Sequence, residues 1–386
     1  MYIEAVAKPT RNPFTYGDLV ADESFTDRVE ELAQLKADIG NGQNVAVIAP
    51  RRFGKSSLVR AALSDLVGTG ILVVEVDLMS TPTKERLAGK LAKSIHDDVA
   101  SVVFKAKERL RIFSSLRIQP VMTVDIDGSV SFSFSVARSE ADIDDTLDRL
   151  FELPASIAAD QGREVVVYFD EFQEITQIDP YLPAQMRAIF QKQPNVSHVY
   201  AGSKRDMMHR LFNDENEPFF RSAKTMEIGL IPEPLFKQFI KGRFDRTSRG
   251  VSDDAVDRLL SITKGHPYAT QELAYALWEK VPEGFSGTSG DLDEALAAVL
   301  HAENAHFTLV WENATKPQKL ILQALASEPG KLFSNPYRDR HGLPATSGVQ
   351  RALKPLVGQE LIRKEAEGAY VFAEPFLREW ILAYAS

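Results

Sequence analysis

The sequence predicts an α/β fold built on a parallel sheet with helices on both faces. Apolar runs without alternation occur at 45–49, 71–77 and 165–170. Such runs mark strands buried on both faces. Between them lie segments whose apolar residues recur at helical spacing, and strands alternating with helices imply parallel βαβ units. No internal repeat or low-complexity tract interrupts this pattern across the 386 residues.

Taken in order, residues 1–24 are irregular, with Pro9, Pro13 and Gly17. Residues 30–39 read as a helix with Leu32, Leu35 and Ile39 on one face, stopped by Gly40-Asn41-Gly42. After the strand at 45–49, residues 55–66 form a helix with Leu58, Ala62 and Leu66 four apart. Fourth and fifth strands are expected at 198–202 and 225–230. The stretch 120–136 alternates strictly and predicts a β-hairpin insertion at about 118–137. Its expected register pairs Ile126 with Val130, Val124 with Phe132 and Met122 with Phe134, across a three-residue loop at Asp127-Gly128-Ser129. One face of that hairpin is expected to be buried, either on this protein's own surface or on a partner.

Past Ile231-Pro232-Glu233-Pro234 the pattern turns to amphipathic helices, to about residue 300. From Pro317 onward the order is helix, helix, then short strands around Glu367-Gly368, the order of a winged helix. The expected organisation is an N-terminal lead and helix at 1–40, an α/β core at 41–231, a helical region at 232–312 and a winged helix at 313–386.

Composition narrows the chemistry. The formal net charge is −9, so any contact with nucleic acid must be local. The absence of cysteine excludes disulfides, thiolate metal sites and thiol nucleophiles. The 7 histidines are scattered without metal-site spacing, and no zinc is expected. There is no signal-peptide core at the start and no run of ~18 apolar residues. A cytoplasmic protein without membrane contact is the expectation.

The sharpest local signal is Ala49-Pro50-Arg51-Arg52-Phe53-Gly54-Lys55-Ser56-Ser57, between a buried strand and an amphipathic helix. It matches the phosphate-binding pattern ending in Gly-Lys-Ser. Residues Pro50 to Ser57 would wrap the phosphates with backbone N–H groups at a helix N-terminus. Lys55 would bridge the β- and γ-phosphates, and Ser56 would offer a hydroxyl to Mg²⁺. Ala49 replaces the first glycine of the pattern, so the start of the loop must avoid positive φ.

The third strand delivers Asp170-Glu171 to its C-terminal end, where ligands of open α/β sheets bind. Asp170 would hold Mg²⁺ and Glu171 would polarise an attacking water, which favours hydrolysis of ATP over binding alone. Ser203, ending the fourth strand, would orient that water. Arg205, Arg210 and Arg221 are candidates for contact with the γ-phosphate, each also readable as a surface ion-pair arginine. Gly265-His266-Pro267 could reach the nucleotide from the helical region.

These residues carry a resemblance. Asn12-Pro13-Phe14, Phe25-Thr26-Asp27-Arg28, the Pro-Arg-Arg-Phe-Gly-Lys-Ser-Ser box, Asp170-Glu171-Phe172-Gln173, Ala201-Gly202-Ser203, Gly265-His266-Pro267 and the C-terminal 370–380 stretch resemble the archaeal-type ATPase family, related to STAND and AAA+ P-loop NTPases. The resemblance implies an additional-strand P-loop core, with the Asp170 strand beside the second strand rather than the phosphate-loop strand. It also implies a helical lid and a winged helix, and it sets Arg28 on the adenine side of the site. Some members carry a further nuclease-like domain; this sequence ends at Ser386, directly after the winged helix, and none is expected.

The last region, 316–386, carries ten basic and seven acidic residues, a local excess of +3. Arg351 and Lys354 fall on its presumed recognition helix, which could meet a major groove. The function expected is a Mg-ATP-hydrolysing switch that controls a partner or its own assembly, including homo-oligomers. Two alternatives stay open: a DNA-binding ATPase that loads or remodels, and a nucleotide-locked regulatory scaffold that binds ATP but scarcely turns it over; the winged helix would meet double-stranded DNA or a protein partner.

Overall fold

The computed structural model describes residues 11–17, 28–100, 113, 116, 121–124, 130–133, 139–365 and 367–385. The chain divides into two compact units. A sheet unit comprises Arg28–Gly229, and a helical unit comprises Met1–Asp27 with Leu230–Ser386. The sheet unit is therefore inserted within the sequence of the other.

In the sheet unit the order is α1 (Val29–Gly40), β1 (Val45–Ile48), α2 (Lys55–Gly68), β2 (Leu72–Asp77) and α3 (Lys84–Ser94), which runs on into a π-helical stretch, Ile95–Ala100. Then come β3 (Val121–Val124), β4 (Val130–Ser133), α4 (Glu140–Gln161), β5 (Val165–Asp170), α5 (Leu182–Phe190), β6 (Val196–Gly202), α6 (Arg205–Asn213) and β7 (Lys224–Glu227). The five long-range strands form one parallel sheet in the order β2-β5-β6-β1-β7. The Asp170 strand lies between β2 and β6, away from the phosphate-loop strand, as the resemblance implied. Every residue of β1 and β6 is buried. The continuous apolar character of β1 follows from burial on both faces, and β6 buries Ser197 and His198 among its apolar residues.

The hairpin forms, with one correction. Val124 pairs with Val130 and Met122 with Phe132, so the register is shifted by two residues from the expected one. A two-residue shift leaves every side chain on its original face, so alternation alone cannot distinguish the registers. Ile126, Phe134 and the expected turn lie outside the described residues. Phe132 is buried beside His96 and Phe113, and its carbonyl lies over Gly89 of α3. The hairpin thus rests on this protein's own surface.

The helical unit contains α7 (Glu233–Asp245), α8 (Asp253–Thr263), α9 (Pro267–Lys280), α10 (Ser289–Ala302) and α11 (Asn304–Asn313). Two residue pairs, β8 (Gly250–Val251) and β9 (Ser286–Gly287), tie the loops together in parallel. A winged helix follows: α12 (Lys316–Ser327), α13 (Asn335–His341), α14 (Thr346–Gly358), the antiparallel pair β10 (Ile362–Lys364) and β11 (Tyr370–Phe372), and α15 (Pro375–Tyr384). Trp380 of α15 donates its indole N–H to Asn304 of α11 at 2.8 Å, and its ring meets Phe307. Residues 11–17 pack on this unit, and Phe14 enters its core. Phe14 is buried against Phe244 and Phe239, and Asn12 donates to the Tyr275 carbonyl. Among the described residues, no helix is long and apolar enough to cross a membrane.

Candidate functional site

The C-terminal ends of β1, β5 and β6 converge because parallel strands all point one way. The loop leaving β1 carries Pro50 to Gly54 and runs straight into α2. Its two left-handed residues are Arg52 at φ +65° and Gly54 at φ +79°. Ala49 is not among the positive-φ residues, and its N–H donates to the Gly202 carbonyl at 3.2 Å, extending the β1–β6 ladder by one residue. The start of the loop thus accepts an alanine, and the left-handed turn falls at Gly54, the glycine that the pattern keeps before Lys55. No atom lies within 4 Å of where a Gly54 Cβ would point, so the glycine answers a backbone conformation rather than crowding. Arg51 and Arg52 are exposed, whereas Phe53, Lys55 and Ser57 are buried.

Lys55 is the centre of the charge network. Its Nζ lies 2.6 Å from Asp170 Oδ1 and 3.1 Å from Glu171 Oε1. Ser56 Oγ donates to the other oxygen of Asp170 at 2.8 Å. Glu171 Oε2 accepts from Ser203 Oγ at 2.7 Å and from the Gln173 side-chain amide at 2.6 Å. Gln173 in turn accepts the Ser203 N–H through Oε1 at 3.2 Å. Six residues from three loops therefore form one connected set.

Burial pushes both carboxyl groups up, but Lys55 outweighs it and holds Asp170 below the usual carboxylate range, helped by Ser56. Glu171 is depressed in the same way by Lys55, with Ser203 and Gln173 adding hydrogen bonds. Both are therefore ionised at neutral pH. Tyr168, two residues earlier on the same face of β5, is kept protonated by burial and by the charge of Asp170. Glu171 itself sits at φ +51°, a backbone conformation that costs a non-glycine residue on the order of 1 kcal/mol or more. That turn aims its carboxylate back across the strand ends toward Ser203.

The donor set fits a hard divalent cation. Ser56 Oγ and Asp170 Oδ2 are adjacent oxygen ligands of the type Mg²⁺ takes.

The other sequence candidates have the following partners. Arg28 is buried, and its guanidinium donates to the Phe53 and Gly229 carbonyls while pairing with Glu31. Arg205 pairs with Glu227 at 2.8 Å and Arg210 with Glu217 at 2.5 Å. Arg221 stacks over Phe220, 5.1 Å from its ring centroid. Pro267 opens α9 in the helical unit, behind His266, whose ring nitrogen accepts the Ala269 N–H as an N-cap. Gln173 was missed by sequence reasoning. Its signals were its place in the Asp170-Glu171-Phe172-Gln173 stretch and its position two residues after Glu171, where a side chain can return to the same strand end.

Residues 25–273 match the family model described as an ATPase domain predominantly from Archaea, and residues 305–383 match a probable winged helix domain. No curated protein matches the chain. Among solved structures, the Walker-type ATPase PABY2304 of Pyrococcus abyssi is 17% identical, with a TM-score of 0.63 over 93% of this chain and 97% of that one. The ORC1 protein of Aeropyrum pernix, solved in complex with DNA, is 14% identical over 94% of each chain, with a TM-score of 0.48. The RuvB Holliday junction branch migration motor of Thermotoga maritima is 13% identical over 94% of this chain and 97% of that one, with a TM-score of 0.44.

Proposed function

The chain belongs to the family of ATPase domains found predominantly in Archaea, and from that premise we propose that it uses ATP as a conformational switch. Nucleotide binding and ATP hydrolysis come with the family. Control of a partner or an assembly through the helical unit is our reading.

One observation carries it: a single buried lysine joins both carboxylates, while a serine from a third strand holds the second one. The loop from Pro50 to Ser57 would wrap the phosphates with backbone N–H groups and the α2 N-terminus. Lys55 would leave the carboxylates for the β- and γ-phosphates, exchanging one set of negative oxygens for another. Glu171, released from Lys55 but still held by Ser203 and Gln173, would take the proton of the attacking water. Ser56 and Asp170 would hold Mg²⁺, which when bound supplies charge neutralisation at the phosphates. Little covalent chemistry is asked of the protein, so positioning and electrostatics supply the rate.

The test is Mg-ATP turnover by Lys55→Ala and Glu171→Gln, with the fold checked by circular dichroism. Lys55→Ala should abolish turnover. Glu171→Gln should lower it by roughly 100-fold or more, in the range of a general base, while still binding ATP. Wild-type turnover no faster than that of Glu171→Gln would overturn the reading.

A second reading has its own observation. Arg351 and Lys354 are both exposed on α14 of the winged helix. That favours double-stranded DNA as the partner, with each phosphate contact adding salt dependence. Duplex binding at low salt that weakens with Arg351→Glu supports it; no binding at low salt rejects it in favour of a protein partner.

A further inference from the structure

Both covalent crossings between the two units meet at one side chain. The chain enters the sheet unit at Arg28 and leaves it at Gly229. Arg28 Nη2 donates to the Gly229 carbonyl at 2.7 Å and to the Phe53 carbonyl at 3.2 Å, while Nη1 pairs with Glu31 at 3.1 Å. Phe53 precedes Gly54, so its carbonyl is part of the phosphate loop. The acceptors are 25 and 201 residues away in sequence. The side chain is 3% exposed.

Burying a guanidinium is costly unless its hydrogen bonds are well made. Glu31 meets one end, and the two carbonyls meet the other. Arginine suits the task because its planar fork presents fixed donors, whereas a lysine offers a mobile point charge.

The far end of the crossing is also held. Within the helical unit the Ile231 N–H donates to the Gly265 carbonyl at 3.0 Å. Gly265 has φ +75°, and a Cβ there would come within 2.4 Å of the Ile231 carbonyl oxygen. Only Leu230 separates the clamp on Gly229 from the clamp on Ile231. A connection this short, fixed at both ends, converts a small shift at one clamp into rotation about few backbone bonds.

We propose that Arg28 is the positioning residue that couples phosphate-loop occupancy to the Gly229–Ile231 connection. Filling the loop moves the Phe53 carbonyl, and the guanidinium passes that movement to Gly229. This coupling rests on the switch reading above and names the residue through which the switch acts.

The absence of cysteine makes the test direct. Val67 and Leu309 are exposed, one in each unit, and Val67→Cys with Leu309→Cys gives a spin-label pair on the full chain. Its distance distribution is measured alone and with a saturating non-hydrolysable ATP analogue and Mg²⁺. In the labelled parent the analogue should shift the distribution. In Arg28→Lys and Arg28→Ala the distribution without nucleotide should match the parent, the analogue should still bind at saturation, and the shift should be lost. Arg28→Lys keeps the buried charge should Arg28→Ala not fold.

A shift equal to the parent's in either variant overturns the coupling and leaves the switch intact. An altered distribution before nucleotide is added also overturns it, since the arginine would then be merely structural. Loss of binding at any analogue concentration overturns it as well, by making Arg28 a nucleotide ligand. No shift in the parent removes the switch reading itself, and the coupling with it.

Discussion

His198 stands in the middle of β6 with its ring stacked 4.0 Å from Phe190, and neither ring nitrogen has a hydrogen-bond partner among the described residues. Burial pushes its imidazole down to about 3, from an ordinary value of 6.5. The folded chain cannot take the proton that the unfolded chain accepts below pH 6.5, so stability falls as pH drops from 6.5 towards 3. Between pH 7 and 5 this residue alone costs about 2 kcal/mol. His198→Phe, which keeps the stack, should make the urea midpoint less sensitive to that pH change; equal sensitivity in both proteins would refute the assignment. The same scale shows what a sequence can carry. Lys55 and Ser56 were legible from the Gly-Lys-Ser pattern, and Asp170 and Glu171 because paired carboxylates at the end of a buried strand have few roles. The connection of Ser203 to Glu171 was not, since a serine there is equally a turn residue, and the hydrogen bond depends on Glu171 adopting positive φ. Arg28 illustrates the limit most clearly. Its partners are backbone carbonyls, which every residue has, so no pattern of side chains could point to them.

Elements were legible where burial alone determines the pattern. The five sheet strands lie within a few residues of expectation; burial keeps β1, β2, β5 and β6 mostly apolar, whereas the edge strand β7, Lys224–Glu227, buries only Met226. The hairpin register was not, because Phe132 packing beside His96, Phe113 and Gly89 selects between registers that share the same faces. The π-helical stretch at Ile95–Ala100 had no signal either. It follows directly on α3, where the Ser94 hydroxyl donates to the Glu75 carbonyl of β2, and its Asp98 carboxyl is pushed up to about 6 by burial and then by the neighbouring Glu75 and Asp97. Local composition there gives no reason to widen the helix; the packing against β2 does. In the winged helix, α14 continues through Pro355 to Gly358, since a proline in the last turn gives up one backbone bond without stopping the helix.

At the scale of the molecule, the sheet unit interrupts the sequence of the helical unit, so the latter must recruit residues 11–17 across more than two hundred residues of intervening chain. Phe14 is the residue that does this. It is 2% exposed, with ring centroids 5.5 Å from Phe244 and 6.1 Å from Phe239. Tyr16 adds edge contacts to Tyr268 and Tyr275. The sequence reading grouped this segment with the helix at 30–39, which packs instead on α2 of the sheet unit. The chain has 3 tryptophans, Trp278, Trp311 and Trp380, and all belong to the helical unit. Tryptophan fluorescence therefore reports the unfolding of that unit alone. Phe14→Ala removes a buried aromatic ring from its core and should destabilise it by about 3–5 kcal/mol. In urea, the fluorescence transition of Phe14→Ala should move to a clearly lower midpoint than that of the wild type. A transition at the wild-type midpoint would mean that the N-terminal segment contributes nothing to the unit it is packed in.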